Sequence, residues 1–159
     1  MLDLIFALKF IHVLAAAAMF GTWLCLAMIM LRGHRSDNPS EIAVTAQFVA
    51  DLEKMVMAPA IAVQPASGFP LASAIGVSPL NEFWVVASLV LLVLALACWL
   101  AGFRIETRIR SLSRRSALDG VALPDDYRRL FRLWSSVAAV GLLATTAIFA
   151  LMIWQPRLD

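Results

Sequence analysis

The sequence predicts an all-α integral membrane protein that folds as a four-helix bundle. Of its 159 residues, 62% are hydrophobic and the mean hydropathy is +0.84, which is too apolar for a soluble domain of this size. Four apolar runs each reach the length of about 20 residues that a helix needs to cross a bilayer. Arginines cluster between these runs. The predicted spans cover about residues 4–31, 55–75, 83–103 and 133–154.

The first two helices are indicated by an uninterrupted run and by a start signal. The first run has no basic start and continues past Ala15 through Leu31, so we expect a retained span and no cleaved signal. For the second helix, Asn38 can cap the N-terminus and Pro39 suits the first helical position. An amphipathic stem follows, and its charges are predicted to mark the inner membrane surface. These charges are Asp51, Glu53 and Lys54.

The second span contains the most irregular stretch of the sequence. Prolines at 59, 65 and 70 each delete an intrahelical hydrogen bond, and Gly68 adds flexibility. We therefore predict a broken helix over Gln64–Pro70. Two interpretations stay open: the freed backbone groups line a site, or Gln64 and Ser67 satisfy a structural kink.

The third and fourth helices have clearer ends. Glu106 and Arg110 are spaced for an i,i+4 ion pair where the third helix leaves the membrane, and a turn at Asp119-Gly120 ends that helix. Pro124-Asp125-Asp126 is predicted to begin the fourth helix. Four aromatic residues fall near the predicted membrane boundaries and indicate an aromatic belt. They are Trp84 and Trp154 on the outer side, and Tyr127 and Trp134 on the inner side.

The distribution of basic residues predicts the orientation. The segments that follow spans one and three are rich in arginine, whereas the short segment between spans two and three has none. The positive-inside rule therefore places the arginine-rich segments and the long helix extensions in the cytoplasm, and both termini outside. We expect a multi-pass protein of the bacterial inner membrane, with a single domain over residues 1–159. Binding of nucleic acid is not expected, because the basic residues follow the pattern of a membrane protein.

Lys9 and His12 are the best candidates for a functional site. They lie three residues apart on one helix face, which Trp23 shares, and ionisable groups inside a bilayer commonly have a function. Counting about 20 residues back from Arg32 puts His12 near the outer edge of the hydrocarbon. Two interpretations stay open: neutral His12 is an axial haem ligand or a metal ligand facing the bundle interior, or it only joins helices through a hydrogen bond. His34 is about 33 Å further along the helix, so it is not a second ligand in the same chain.

No other chemistry has candidate residues. A catalytic triad, a phosphate-binding loop and a carboxylate pair among the spans are all missing from the sequence pattern. Cys25 and Cys98 form no zinc-type spacing. Small residues at helical spacing, Ala17 with Gly21 and Gly141 with Thr145, suit close helix packing either within the chain or in a homodimer.

Two resemblances add to this interpretation. The motif Lys9-Phe10-Ile11-His12-Val13, followed by Gly21 and Trp23, resembles the first span of HemJ-type protoporphyrinogen oxidases and of the CopD copper-resistance domain. The HemJ resemblance implies a haem b held by His12 and oxidation of a porphyrin. HemJ-type proteins also carry a lysine in a later span, whereas residues 84–103 contain none. Over nearly its whole length the chain more closely resembles an uncharacterised family of predicted integral membrane proteins. The residues that carry this resemblance are Glu53, Gln64-Pro65-Ala66-Ser67-Gly68, Trp84 and Trp99.

Three functions follow from the sequence. The leading hypothesis is a small inner-membrane protein that binds haem b through His12 and has a redox or haem-related role, with a porphyrin as its partner molecule. The alternative is a non-enzymatic subunit or assembly factor of a homodimer or larger membrane complex. The third is a transporter that uses the broken second span. The candidate cofactor-binding residues are His12, Lys9, Trp23, Gln64 and Ser67.

Overall fold

Helices make up almost all of the chain. The computed structural model describes residues 2–156, and Met1 and residues 157–159 lie outside this range. Within it there is no strand. The helices are α1 (Leu2–Arg35), α2 (Pro39–Leu52), α3 (Ala58–Ala74), α4 (Phe83–Asp119) and α5 (Asp125–Trp154), and a π-helical segment, Glu53–Met57, joins α2 to α3.

The prediction of four membrane-spanning helices is confirmed. Within residues 2–156, four helical stretches are long and apolar enough to cross a bilayer, namely α1, the continuous stretch Pro39–Ala74, α4 and α5. Many large apolar side chains on their outer surfaces are exposed, among them Phe6, Phe10, Val90 and Leu143. Such a surface matches lipid, which solvates apolar side chains where water would not.

The helices pack in a defined order. The most extensive contact is between α4 and α5, while α1 packs against both α3 and α5. Near the arginine-rich loops, α2 lies against α4 and α1. The contacts of α3 are mainly with α1, so α3 is the most peripheral of the membrane helices.

The predicted helix ends are confirmed in their main features. The side chain of Asn38 accepts a hydrogen bond from the backbone N–H of Ser40 at 2.9 Å, and Pro39 is the first residue of α2. At the end of α4, Gly120 has φ 65°, a left-handed conformation that glycine adopts without steric cost. Helix α5 begins at Asp125 as expected, with both acids in its first turn.

The prediction of a broken helix over Gln64–Pro70 is wrong. Residues Ala58–Ala74 form one continuous α-helix that contains Pro65 and Pro70. The irregular part lies earlier, in the π-helical turn, where the N–H of Ala58 donates to the carbonyl of Glu53. Pro59 follows directly, and a proline ring clashes with the carbonyl four residues before it. A widened turn relieves that clash. The distortion caused by Pro59 therefore lies before the membrane core.

The predicted aromatic belt is also wrong for three of its four members. Trp134 is 4% exposed and Tyr127 is 1% exposed, so both belong to the interior of the bundle. Trp84 is buried as well, and only Trp154 is exposed. Trp134 and Tyr127 have polar partners, Glu106 and His34, which explains their burial: an indole N–H or phenol O–H is tolerated inside when it reaches a hydrogen-bond partner.

One glycine fixes the distance between α1 and α5. A Cβ atom added at Gly141 would lie 2.0 Å from Cζ2 of Trp23, so only glycine admits this indole ring between the two helices. Thr145, one turn further along, is also buried and donates to the carbonyl of Gly141 at 2.8 Å. The predicted small-residue pair on α5 thus serves packing within the chain.

Replacing Gly141 with alanine should destabilise the protein, because either the Trp23 ring or helix α5 must move. We expect a loss of about 1–3 kcal/mol, the usual cost of overpacking a core, measured by denaturant unfolding in mild detergent. Gly21→Ala is the matched control, since a Cβ there meets nothing within 4 Å and alanine favours helix. Equal stability of the two variants would contradict the close approach.

The arginine-rich end of the bundle contains a second aromatic contact. The ring of His34, beyond the predicted first span, stacks on Phe131 with ring centroids 3.7 Å apart. Its Nδ1 lies 3.0 Å from the hydroxyl of Tyr127. Burial raises the pKa of Tyr127 to about 12, and Asp37 adds to this effect. Burial lowers the pKa of His34. Asp37 partly offsets this effect by raising the pKa, and Arg128 lowers it further.

The stability of this end should therefore decrease in acid. A lowered pKa means that the folded state binds the proton less tightly than the unfolded state. The contribution of His34 is complete above the unfolded pKa of about 6.5 and is lost as the pH falls through the folded pKa. Thermal unfolding between about pH 5 and pH 8 checks this, with His34→Asn as the comparison. An identical pH dependence in the two proteins would refute the assignment.

Candidate functional site

His12 and the Gln64–Ser67 region come together between α1 and α3. Nδ1 of His12 lies 3.0 Å from Oγ of Ser67, and the side-chain amide of Gln64 donates to the carbonyl of His12 at 3.3 Å. Gln64 and Ser67 are both buried, whereas His12 is half-buried. Three of the five predicted site residues therefore form one cluster, although they are about fifty residues apart in sequence.

The hydrogen bonds indicate which nitrogen of His12 carries the proton. Ser67 has a single hydroxyl proton, and its Oγ lies 2.6 Å from the carbonyl of Val63 but 3.3 Å from that of Gln64. The hydroxyl thus donates along its own helix, and its oxygen accepts from Nδ1–H of His12. Nε2 is then left as the unprotonated nitrogen, and it has no hydrogen-bond partner among residues 2–156.

Gly68 allows the histidine ring to lie against α3. A Cβ atom at this position would be 3.0 Å from Cε1 of His12 and 3.4 Å from Nδ1. The ring therefore occupies space that any other residue would take. The short sequence Ser67-Gly68 provides both a hydrogen-bond partner and a gap, and together they hold the imidazole in one orientation.

The other two predicted site residues lie elsewhere. Lys9 is exposed, one turn from His12. Trp23 is buried about three turns further along α1, against Gly141 and among the residues of a second polar cluster. The shared face of Lys9, His12 and Trp23 thus does not correspond to one site.

The second cluster is a pair of buried carboxyl groups, which we call the glutamate pair: Glu53 of the π-helical segment and Glu106 of α4. Glu53 is 2% exposed and Glu106 is 4% exposed. They face each other, and both line a cavity of about 20 Å³ together with three tryptophans. Trp134 donates to Oε1 of Glu106 at 2.5 Å. The tryptophans of this cavity are Trp23, Trp99 and Trp134.

Two sequence predictions are corrected by the glutamate pair. Glu53 does not mark the membrane surface with its neighbours Asp51 and Lys54, because it points into the bundle while they are exposed. Glu106 does not form the predicted ion pair with Arg110. The guanidinium of Arg110 instead donates to Gln47 at 3.1 Å.

A signal for this pair was present in the sequence. The apolar positions Ile42, Ala46, Val49, Met57 and Ala60 recur at spacings of three and four if Glu53 is included in the same series. That series is the buried face of the second membrane helix. The helical phase of Glu53 therefore predicts its burial better than the charged residues beside it in the sequence do.

The fold and its two polar clusters define a helical integral membrane protein. The chain belongs to the family described as predicted integral membrane protein (DUF2269), whose family model matches residues 6–156. No curated protein and no solved structure matches the chain. The expected membership in an uncharacterised membrane family is confirmed. Such a protein contacts the lipid bilayer directly.

The proton position on His12 can be measured. In detergent at neutral pH, nitrogen NMR of the ¹⁵N-histidine-labelled protein should show His12 with protonated Nδ1 and bare Nε2. Ser67→Ala should abolish this preference, because it removes the acceptor of the Nδ1 proton. The second histidine, His34, is the internal control and should keep its signals. A protonated Nε2 in the unmodified protein would contradict the proposed hydrogen-bond direction.

Proposed function

We propose that the protein is a small membrane protein of the bacterial inner membrane that binds haem b through His12 and has a redox or haem-related role. The observation that carries this proposal is the orientation of the His12 ring: Nδ1 is held by Ser67, and Nε2 has no partner among the residues described. Histidines that bind metals commonly donate their other ring nitrogen to a fixed acceptor, which orients the ring.

The residues around His12 fit a haem on several grounds. An imidazole with one bare nitrogen is the usual proximal ligand of haem iron. Apolar side chains next to it on α1, Ile11 and Val13, are exposed and match the porphyrin surface. The exposed ammonium of Lys9, one turn away, matches a propionate in charge. The first-span resemblance to HemJ-type proteins supports the same assignment.

Each residue has a separate task in this proposal. Haem b would supply one-electron redox chemistry at the outer end of the bundle. Ser67 keeps the imidazole in the tautomer that leaves Nε2 free, and Gly68 admits the ring. Gln64 anchors the backbone of His12 and thereby the height of the ring along α1. The chain offers one axial ligand of this kind. A second ligand would come from a methionine, from an unusual group or from His12 of another copy.

The proposed location follows from charge. The ends of α1 and α4 carry arginines that the positive-inside rule places in the cytoplasm, so His12 would lie on the outer side of the inner membrane. This position suits exchange of electrons or porphyrins at the outer surface. Fusion of a reporter enzyme to the loop between α3 and α4 tests the orientation.

The competing function is that of a non-enzymatic subunit or assembly factor, and one observation favours it. The same two hydrogen bonds, from His12 to Ser67 and from Gln64 to the His12 carbonyl, join α1 to the peripheral helix α3. Polar side chains between membrane helices often serve only to hold them together. The two functions differ in whether Nε2 has a ligand.

Visible spectroscopy distinguishes the two functions. Protein purified in mild detergent after expression with ample haem should show a Soret band that shifts on reduction with dithionite. His12→Ala should lose the band while remaining inserted and monodisperse, because one polar residue contributes little to a span of this apolar length. His34→Ala is the matched control and should keep the band. A protein without pigment, or pigment that survives His12→Ala, would overturn the proposal.

A further inference from the structure

The glutamate pair lacks the polar partners that buried carboxylates require. Oε2 of Glu53, Oε2 of Glu106 and Nε1 of Trp99 are all buried without a hydrogen-bond partner in residues 2–156. Unpaired buried polar groups are costly, and two ionised carboxylates offer only acceptors to each other. The unpaired carboxyl oxygens of Glu53 and Glu106 therefore need a hydrogen-bond donor.

The surrounding charges do not neutralise the pair. The charged side chains nearest to it are Lys54, which is exposed, and Arg110, whose guanidinium donates to Gln47. Neither forms an ion pair with Glu53 or Glu106 among the described residues. The faces of α1 and α5 that line the cavity contribute no titratable group, and α4 contributes only the thiol of Cys98. Two adjacent buried negative charges without an ion-pair partner would repel each other strongly.

A metal ion does not suit the site. Indole N–H groups are donors only: Trp134 donates to Oε1 of Glu106, and the N–H of Trp99, which has no partner among residues 2–156, belongs to the same cavity. Within residues 2–156, no three His, Cys, Asp or Glu side chains are grouped as metal ligands. A hydrogen-bond donor stabilises a carboxylate, whereas it repels a cation. The site therefore suits a carboxylate that shares one proton with the neighbouring carboxyl group.

We propose that Glu53 and Glu106 share one proton and form a proton-exchange site inside the arginine-rich half of the bundle. The O–H of one carboxylic acid donates to the carboxylate of the other, and the indole N–H of Trp134 stabilises the remaining negative charge. This reduces the charge of the pair from two to one. The cavity beside the pair, about 20 Å³ in volume, has room for one water molecule that takes up or delivers the proton.

A route for the proton leads from Glu106 toward the surface. Glu106 also lines a second cavity of about 20 Å³, together with Lys54, Thr107 and Arg110. Lys54 and Thr107 are exposed. Glu106 therefore lines both cavities, and the second one has exposed side chains in its wall. The positive charges at this opening disfavour the entry of metal cations, whereas water can still carry a proton.

Infrared spectroscopy tests the shared proton. The full-length protein in detergent at neutral pH should show the C=O stretch of a protonated carboxylic acid, and ¹³C-glutamate labelling should shift that band to lower frequency. The labelled wild type carries the test even if a variant fails to fold. Absence of the band, or its loss when Mg²⁺ or Zn²⁺ is added, would overturn the proposal in favour of a hydrated dianion or a cation site.

Substitutions assign the band to the pair. Glu53→Gln and Glu106→Gln should each remove the band. The remaining glutamate then has no neighbouring negative charge, so it has no second carboxylate with which to share a proton. Glu41→Gln is the matched control, since Glu41 is exposed in the first turn of α2, and the band should persist. A band that persists in both variants of the pair would refute the assignment.

The route makes a separate prediction within the same experiment. After transfer to D₂O, Thr107→Phe should slow the deuterium shift of the carboxylic acid band, because a larger side chain narrows the second cavity. Thr146→Phe changes an exposed threonine on α5 and should exchange at the wild-type rate. Equal rates in the two variants would refute exchange through this opening.

Discussion

The close approach of α1 to α5 at Gly141 is the constraint on which the rest of the bundle depends. Because this glycine has no side chain, the Trp23 ring enters between the two helices and reaches the interior at the level of Glu53. Trp23 is one wall of the cavity that holds the glutamate pair. Helix α1 also carries α3 on its other side, so the position of the His12 cluster depends indirectly on the same contact.

A single face of the second membrane helix holds both polar clusters together. Glu53, Gln64 and Ser67 belong to one buried series along α2, the π-helical segment and α3. The series stays buried across the π-helical segment, whose widened turn relieves the clash of Pro59 with the carbonyl four residues before it. A proline-rich sequence therefore produces a regular helix here, with its polar residues directed at α1 and α4.

Much of the fold could be predicted from the sequence, because span length, hydropathy and helix caps are local properties. Asn38 and Gly120 act as predicted for this reason. The glutamate pair was missed because its two members lie on different helices, and because Glu53 is flanked by the exposed residues Asp51 and Lys54. The burial of Trp134 was missed because it too depends on a contact between two different helices. Its partner, Glu106, is recognisable only when α4 and α5 are packed together.

The His12 cluster was found more readily, since a histidine inside an apolar run is conspicuous without any tertiary information. Its partners Gln64 and Ser67 were conspicuous as polar residues within a span. The sequence could not show that Trp23 belongs to a different cluster, because helical phase alone placed it on the His12 face. Trp23 is separated from His12 by about 16 Å along the helix, and its ring packs against Gly141 instead.

The two clusters are independent of each other in physical terms. About 16 Å of helix separates Glu53 from Gln64, and the buried residues between them on that face, Met57 and Ala60, are apolar. Neither can pass a proton, and no polar side chain bridges the interval along the buried face. Perturbations more than about 10 Å apart without shared partners usually act additively. Loss of a ligand at His12 would therefore leave the shared proton of the glutamate pair in place, and each cluster has to be explained by its own chemistry.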